Sequence, residues 1–195
     1  QLVYGLGALK NVGIEAMQLI VEARNSTPFS TLFDFARRVD LKRIGKRPLE
    51  MLIRAGAFDQ LDNNRKRVFE AIEDLVNYSV AVHEQKSSNQ VSLFGETGDD
   101  LPEPRIKDFQ DWLPAERLAE EYMAIGFYLS NHPLGDYAIA LKRNGVLTLD
   151  EVANKAEAGP FVAKMAGVVA NRQERNQREA TVLHFYNLVT RQGLM

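Results

Sequence analysis

A short turn, Asn11-Val12-Gly13, stands between two apolar-periodic segments and constrains how the first part of this chain folds. Leu6, Leu9, Val12, Ala16, Leu19, Ile20 and Ala23 recur at helical spacing on either side of it, so Leu6–Arg24 predicts helix, tight turn, helix. Gly13 is free to take a positive φ, and Asn11 tolerates one better than most residues. Ala16 is small enough to let the two helices approach closely. The second helix begins with backbone N–H groups that have no partner inside the helix. They point into the turn, and the helix dipole adds to their preference for an anion. Lys10, Asn11, Val12, Gly13 and Ile14 are the candidate contacts there. The same pattern also suits a hairpin that only packs.

A second, degenerate copy runs from Asp40 to Gly56, with Ile44-Gly45 where Val12-Gly13 stood. Pro48 falls in the first turn of the helix that follows, where its missing N–H costs little, and Gly56 stands just past the end. Arg37, Arg38, Lys42, Arg43, Lys46 and Arg47 ring this turn. Six cations around one hairpin point to a polyanion; the plainer reading is a solvated basic loop. Lys42, Arg43, Gly45, Lys46 and Arg47 are the candidate contacts. The first hairpin resembles the helix-hairpin-helix motif, which grips the DNA backbone without reading sequence. It departs from that motif at Asn11, where a glycine is usual. Between the hairpins, Phe29–Phe35 opens a short helix, with Ser30 or Thr31 as its cap.

The net charge of −2 conceals an asymmetry: residues 1–70 carry +4, residues 71–135 carry −8 and residues 136–195 carry +2. Only the front is expected to face a polyanion. At 45% hydrophobic the chain can build a core, and no apolar run is long enough for a membrane span. It opens mid-pattern without Met or a leader, which reads as a piece of a longer protein. With no cysteine, disulfides and cysteine-based metal sites are excluded and a reducing cytoplasm is expected. His83, His132 and His184 lack ligand spacing, so no metal site is expected.

Residues 64–86 read as one amphipathic helix through Val68, Phe69, Ile72, Leu75, Val76, Ser79 and Val82. Residues 87–112 read as a linker, rich in Gly, Asp and Pro, that contains Gln90-Val91-Ser92-Leu93-Phe94. Large apolar residues in a polar linker either fold back or dock elsewhere. Gln-x-x-Leu-Phe resembles the sliding-clamp-binding motif of bacterial replication proteins, with Gln90 at a pocket rim and Leu93 and Phe94 inside. A helical connector follows over 113–158. Phe161–Ala170 and Thr181–Val189 read as strands joined by a turn over Arg172–Glu179.

The succession LKNVGIEAMQLIVEAR, FSTLFDFARRVDLKRIGKRPLEMLIRAGAFDQL, QVSLFG and EYMAIGFYLSNHPLGDY resembles the alpha-subunit family of bacterial DNA polymerase III. The resemblance implies a mainly α chain. Its parts would be a tandem helix-hairpin-helix domain (1–86), a linker with the internal clamp-binding motif (87–112), a helical connector (113–158) and an incomplete OB-like β segment (159–195). It implies template-directed DNA synthesis by the parent, with this piece gripping duplex DNA and tethering the sliding clamp. It further implies other holoenzyme subunits as partners, a cytoplasmic, nucleoid-associated location and no membrane. The family's catalytic aspartates and their Mg2+ lie in a palm upstream. No Asp-x-Asp pair occurs here, so no catalytic residue and no cofactor are expected in this piece. The resemblance fades beyond about residue 170. The alternatives are an error-prone polymerase of the same family, a non-enzymatic hairpin scaffold, and a purely protein-binding helical module.

Overall fold

The computed structural model describes residues 4–25, 27–87, 101–176, 182–190 and 193–194, and from Ala170 onward the backbone alone. The chain is mainly α, as expected, and forms two compact units, Gln1–Leu129 and Ser130–Met195.

In the first unit α1 (Ile14–Arg24) follows a single 3-10 turn, Leu6–Ala8. Then come α2 (Leu32–Arg38), α3 (Leu41–Ile44) and α4 (Lys46–Arg54). After these stand α5 (Arg65–Glu70), α6 (Ile72–Ser87) and α7 (Pro114–Ile125). One core joins them: Leu9, Val12 and Ala16 from the first hairpin, Leu41, Ile44 and Leu52 from the second, and Val68, Ile72, Leu75 and Val82 beneath. Phe35 meets Phe29 and Phe58 edge-on, at centroid distances of 5.1 and 5.0 Å. The one polar member of the α6 stripe explains itself: Ser79 is fully buried, its hydroxyl donates to the Val39 carbonyl (2.8 Å), and it accepts the Leu41 N–H (3.1 Å). That pair of bonds pins the start of α3, and with it the second hairpin, to α6.

Three expectations are corrected and one alternative is settled. The helix before the first turn is only one 3-10 turn, because the chain after Leu6–Ala8 turns extended at Leu9. The positive φ at that turn belongs to Asn11 (60°), while Gly13 is extended at −82°. The stretch 64–86 is two helices, parted at Ala71. Thr31, not Ser30, caps α2: its hydroxyl accepts the Asp34 N–H at 2.9 Å.

The residues read as linker divide. Gln90, Val91, Ser92, Leu93 and Phe94 lie outside the described residues. Residues 101–112 run without helix along the body: Leu101 and Ile106 pack on the core, Asn64 donates to the Phe109 carbonyl (2.6 Å), and Trp112 meets Phe69. The stretch then runs into α7, which packs on α4 in the same unit.

The second unit holds α8 (Ala138–Arg143), α9 (Leu149–Ala156) and a three-stranded antiparallel sheet in the order β1 (Val168–Asn176), β2 (Val182–Thr190), β3 (Gly193–Leu194). Val168 pairs with Val189 and Asn176 with Val182, with an irregularity between Val169 and Asn171. The first strand therefore starts seven residues later than Phe161 and runs through most of the expected turn. Residues 161–167 form only a lone bridge, Val146 to Lys164. Backbone pairing with β2 carries the ladder through polar Asn171–Asn176, which an apolar count misses.

Candidate nucleic-acid interface

Some helix starts are capped by a side chain, and others, α7 and α8 among them, are not. Thr31, Asp40 and Asn64 each cap a helix with a side-chain oxygen. The helices that leave the two hairpin turns, α1 and α4, begin instead on Gly13 and Gly45, and no side chain caps either. Their first N–H groups stay bare, the state that suits a phosphate oxygen. Gly13 needs its lack of a side chain neither for conformation nor for packing, since a Cβ there would meet nothing within 4 Å. The space it leaves is open for close approach of a ligand. Gly45 is different: φ 86° and ψ 156° form a region that only glycine occupies readily.

Charge sorts the cations. Arg37, Arg38, Arg54, Arg65, Lys66 and Arg67 are engaged in ion pairs. Two of the six that were expected to ring the second turn are thereby removed from it. Arg37 bonds the Tyr78 hydroxyl (3.0 Å) and Glu103 (3.2 Å). Arg38 stacks on Phe29 at 4.6 Å and donates to the carbonyls of Ala23, Arg24 and Thr27, which closes off the end of α1. Lys42, Arg43, Lys46 and Arg47 remain. All four are exposed, and their side chains have no hydrogen-bond or ion-pair partner among the described residues. They surround the bare start of α4.

The first turn is poorer in charge. Lys10 is exposed but lies over the Tyr122 ring at 6.0 Å, and Glu15 stands in the first turn of α1. Val12 is buried and its N–H is bound to the Leu9 carbonyl (3.1 Å), so it plugs the core and offers no contact. Asn11 and Ile14 are exposed, Ile14 at 71%.

The supports of the site were not anticipated. Asp40 accepts the Lys42 and Arg43 N–H groups at 3.1 and 3.3 Å and so fixes α3, and Ser79 anchors it from below. Arg65, nearly buried, grips Asp59 with both arms (2.8 and 2.7 Å), donates to the Arg54 carbonyl and lies 3.7 Å from buried Glu121. Burial by itself would weaken its charged form; Asp59, with Glu121 and Asp111 behind it, outweighs this and raises its pKa above the ordinary arginine value. The clue for Ser79 was in the sequence, as the lone hydroxyl of an apolar stripe; nothing in the sequence paired Arg65 with Glu121.

The arrangement is that of a helix-hairpin-helix chain, and the helix-hairpin-helix motif family matches residues 1–68, the span of both turns. The DNA polymerase III subunit alpha of Caulobacter vibrioides is 37% identical over 96% of this chain, that of Vibrio cholerae 33% over its full length, and that of Neisseria meningitidis serogroup A 41% over 69%. The chain spans 16%, 17% and 12% of those relatives, respectively. It belongs to the DNA polymerase III alpha-subunit family, as a segment of it.

Proposed function

We propose that this chain holds duplex DNA by its phosphate backbone, without preference for sequence. The observation that carries the proposal is the bare, glycine-started helix α4 ringed by four cations that no carboxylate among the described residues neutralises. Bare N–H groups and mobile ammonium and guanidinium groups recognise phosphates and read no bases. The first hairpin adds a second, weaker phosphate contact. In the whole polymerase this grip serves template-directed synthesis, holding any duplex while letting it slide. That activity and its Mg2+ belong to a palm domain elsewhere; among the described residues no group of three or more His, Asp or Glu is placed to hold a metal ion. Gln90, Leu93 and Phe94 tether the polymerase to its sliding clamp, and the other holoenzyme subunits and a cytoplasmic location follow from the same role. No described helix is long and apolar enough to cross a membrane.

The test is competition binding. The chain should bind unrelated duplexes of equal length with equal affinity, and the variant with Lys42, Arg43, Lys46 and Arg47 all changed to Gln should lose most of that affinity. Undiminished binding by a folded variant contradicts the reading. For the clamp, Leu93→Ala with Phe94→Ala should abolish capture on immobilised clamp while duplex binding stays intact. The wild-type affinity should be micromolar. A lower melting temperature in that variant would instead assign the pair to the core.

A further inference from the structure

We propose that the surface beside the first hairpin takes unpaired nucleotides of a DNA strand. The proposal rests on the hairpin reading above and extends it from duplex to the single strand that continues from it. Gly126, in the left-handed conformation (φ 98°), ends α7 and turns the chain back. Tyr128 packs against Tyr122 with its ring tilted 35° (centroids 4.8 Å), and Phe127 meets Tyr4 edge-on at 5.4 Å. The turn of the hairpin is joined to this group: the Lys10 N–H donates to the Ala124 carbonyl (3.0 Å), and the Lys10 ammonium lies over the Tyr122 ring at 6.0 Å. The result is two aromatic pairs, anchored on the consecutive residues Phe127 and Tyr128, with one cation over Tyr122 on the hairpin turn that leads into the bare start of α1.

Phe127, 39% exposed, is the most exposed ring among the aromatic pairs of the unit; Phe29, Phe33, Phe69 and Trp112 are half-buried like Tyr4, Tyr122 and Tyr128, but Arg38 and Arg54 already cover Phe29 and Phe69. An apolar partner protein would leave Lys10 and the α1 N–H groups unanswered. A nucleotide chain answers both, since each base has a face for a ring and each phosphate a charge for the ammonium. Neither contact distinguishes one base from another, so the platform tolerates any sequence.

The experiment uses the whole chain, a blunt duplex, and the same duplex with a thymine tail that carries one 2-aminopurine. The tail should raise affinity about ten-fold, the value of a stacked base or two. Phe127→Leu keeps apolar volume against Tyr4 but removes the stacking face. It should erase the gain and leave blunt-duplex binding and the melting temperature unchanged. A tail that adds nothing beside normal blunt-duplex binding, or a gain that survives in Phe127→Leu, overturns the proposal and leaves the hairpin reading standing. Absence of blunt-duplex binding contradicts the hairpin reading itself. Should Phe127→Leu melt early, the wild-type chain decides: quenching of the 2-aminopurine on binding supports the platform, and unchanged fluorescence overturns it.

Discussion

The two hairpin glycines separate conformation from contact. Gly45 sits where a side chain is strained, so Gly45→Ala should destabilise the fold by about 1–3 kcal/mol, measurable by urea unfolding. Gly13 is extended and faces open space, so Gly13→Val should cost the fold no more than about 1 kcal/mol, the scale of a lost N-cap. The same substitution should weaken duplex binding, because the new side chain occupies the path to the α1 N–H groups. Undiminished binding by folded Gly13→Val would take the first hairpin out of the interface. Asn11 illustrates why a turn residue's identity is not its geometry: the sequence offered two candidates for a positive φ, and the chain used the asparagine.

At the scale of elements, the hairpin helices are placed by what packs behind them. Ser79 holds α3 to α6, and the Arg65 group joins α5 and α7. Arg65→Leu should destabilise the protein by about 3–5 kcal/mol, because buried Glu121 loses the guanidinium 3.7 Å away and Asp59 its two close hydrogen bonds. Adding Glu121→Leu should recover much of that loss in urea unfolding; a double variant no more stable than Arg65→Leu would mean that packing, not charge, sets the cost. These couplings also mark the limit of what the sequence discloses. Periodicity exposed the apolar faces of α1 and of the α5–α6 stretch, and the glycines exposed both turns, since those signals are local. Arg37 with Glu103 is 66 residues apart, and no local pattern could withdraw Arg37 from the basic ring. The β segment was displaced for a related reason: its first strand is held by pairing with β2 and not by its own apolar content.

At the scale of the whole molecule, charge that looked merely segregated along the sequence is partly matched in space. The acidic middle reaches back through Glu103, Asp108, Glu120 and Glu121 to Arg37, Arg67, Arg54 and Arg65. Lys42, Arg43, Lys46 and Arg47 stand together around one turn without an ion-pair partner among the described residues, and this grouping, not the modest net charge, supports the proposed grip on DNA. Each phosphate neutralised releases counterions, so the number of such contacts is readable from salt dependence. The decisive measurement is the slope of log K against log salt for duplex binding, compared between the wild-type chain and the variant with Lys42, Arg43, Lys46 and Arg47 changed to Gln. If all four reach phosphates, the slope should become shallower by about 3–4. An unchanged slope would mean that these side chains are only a solvated surface and that the DNA lies elsewhere.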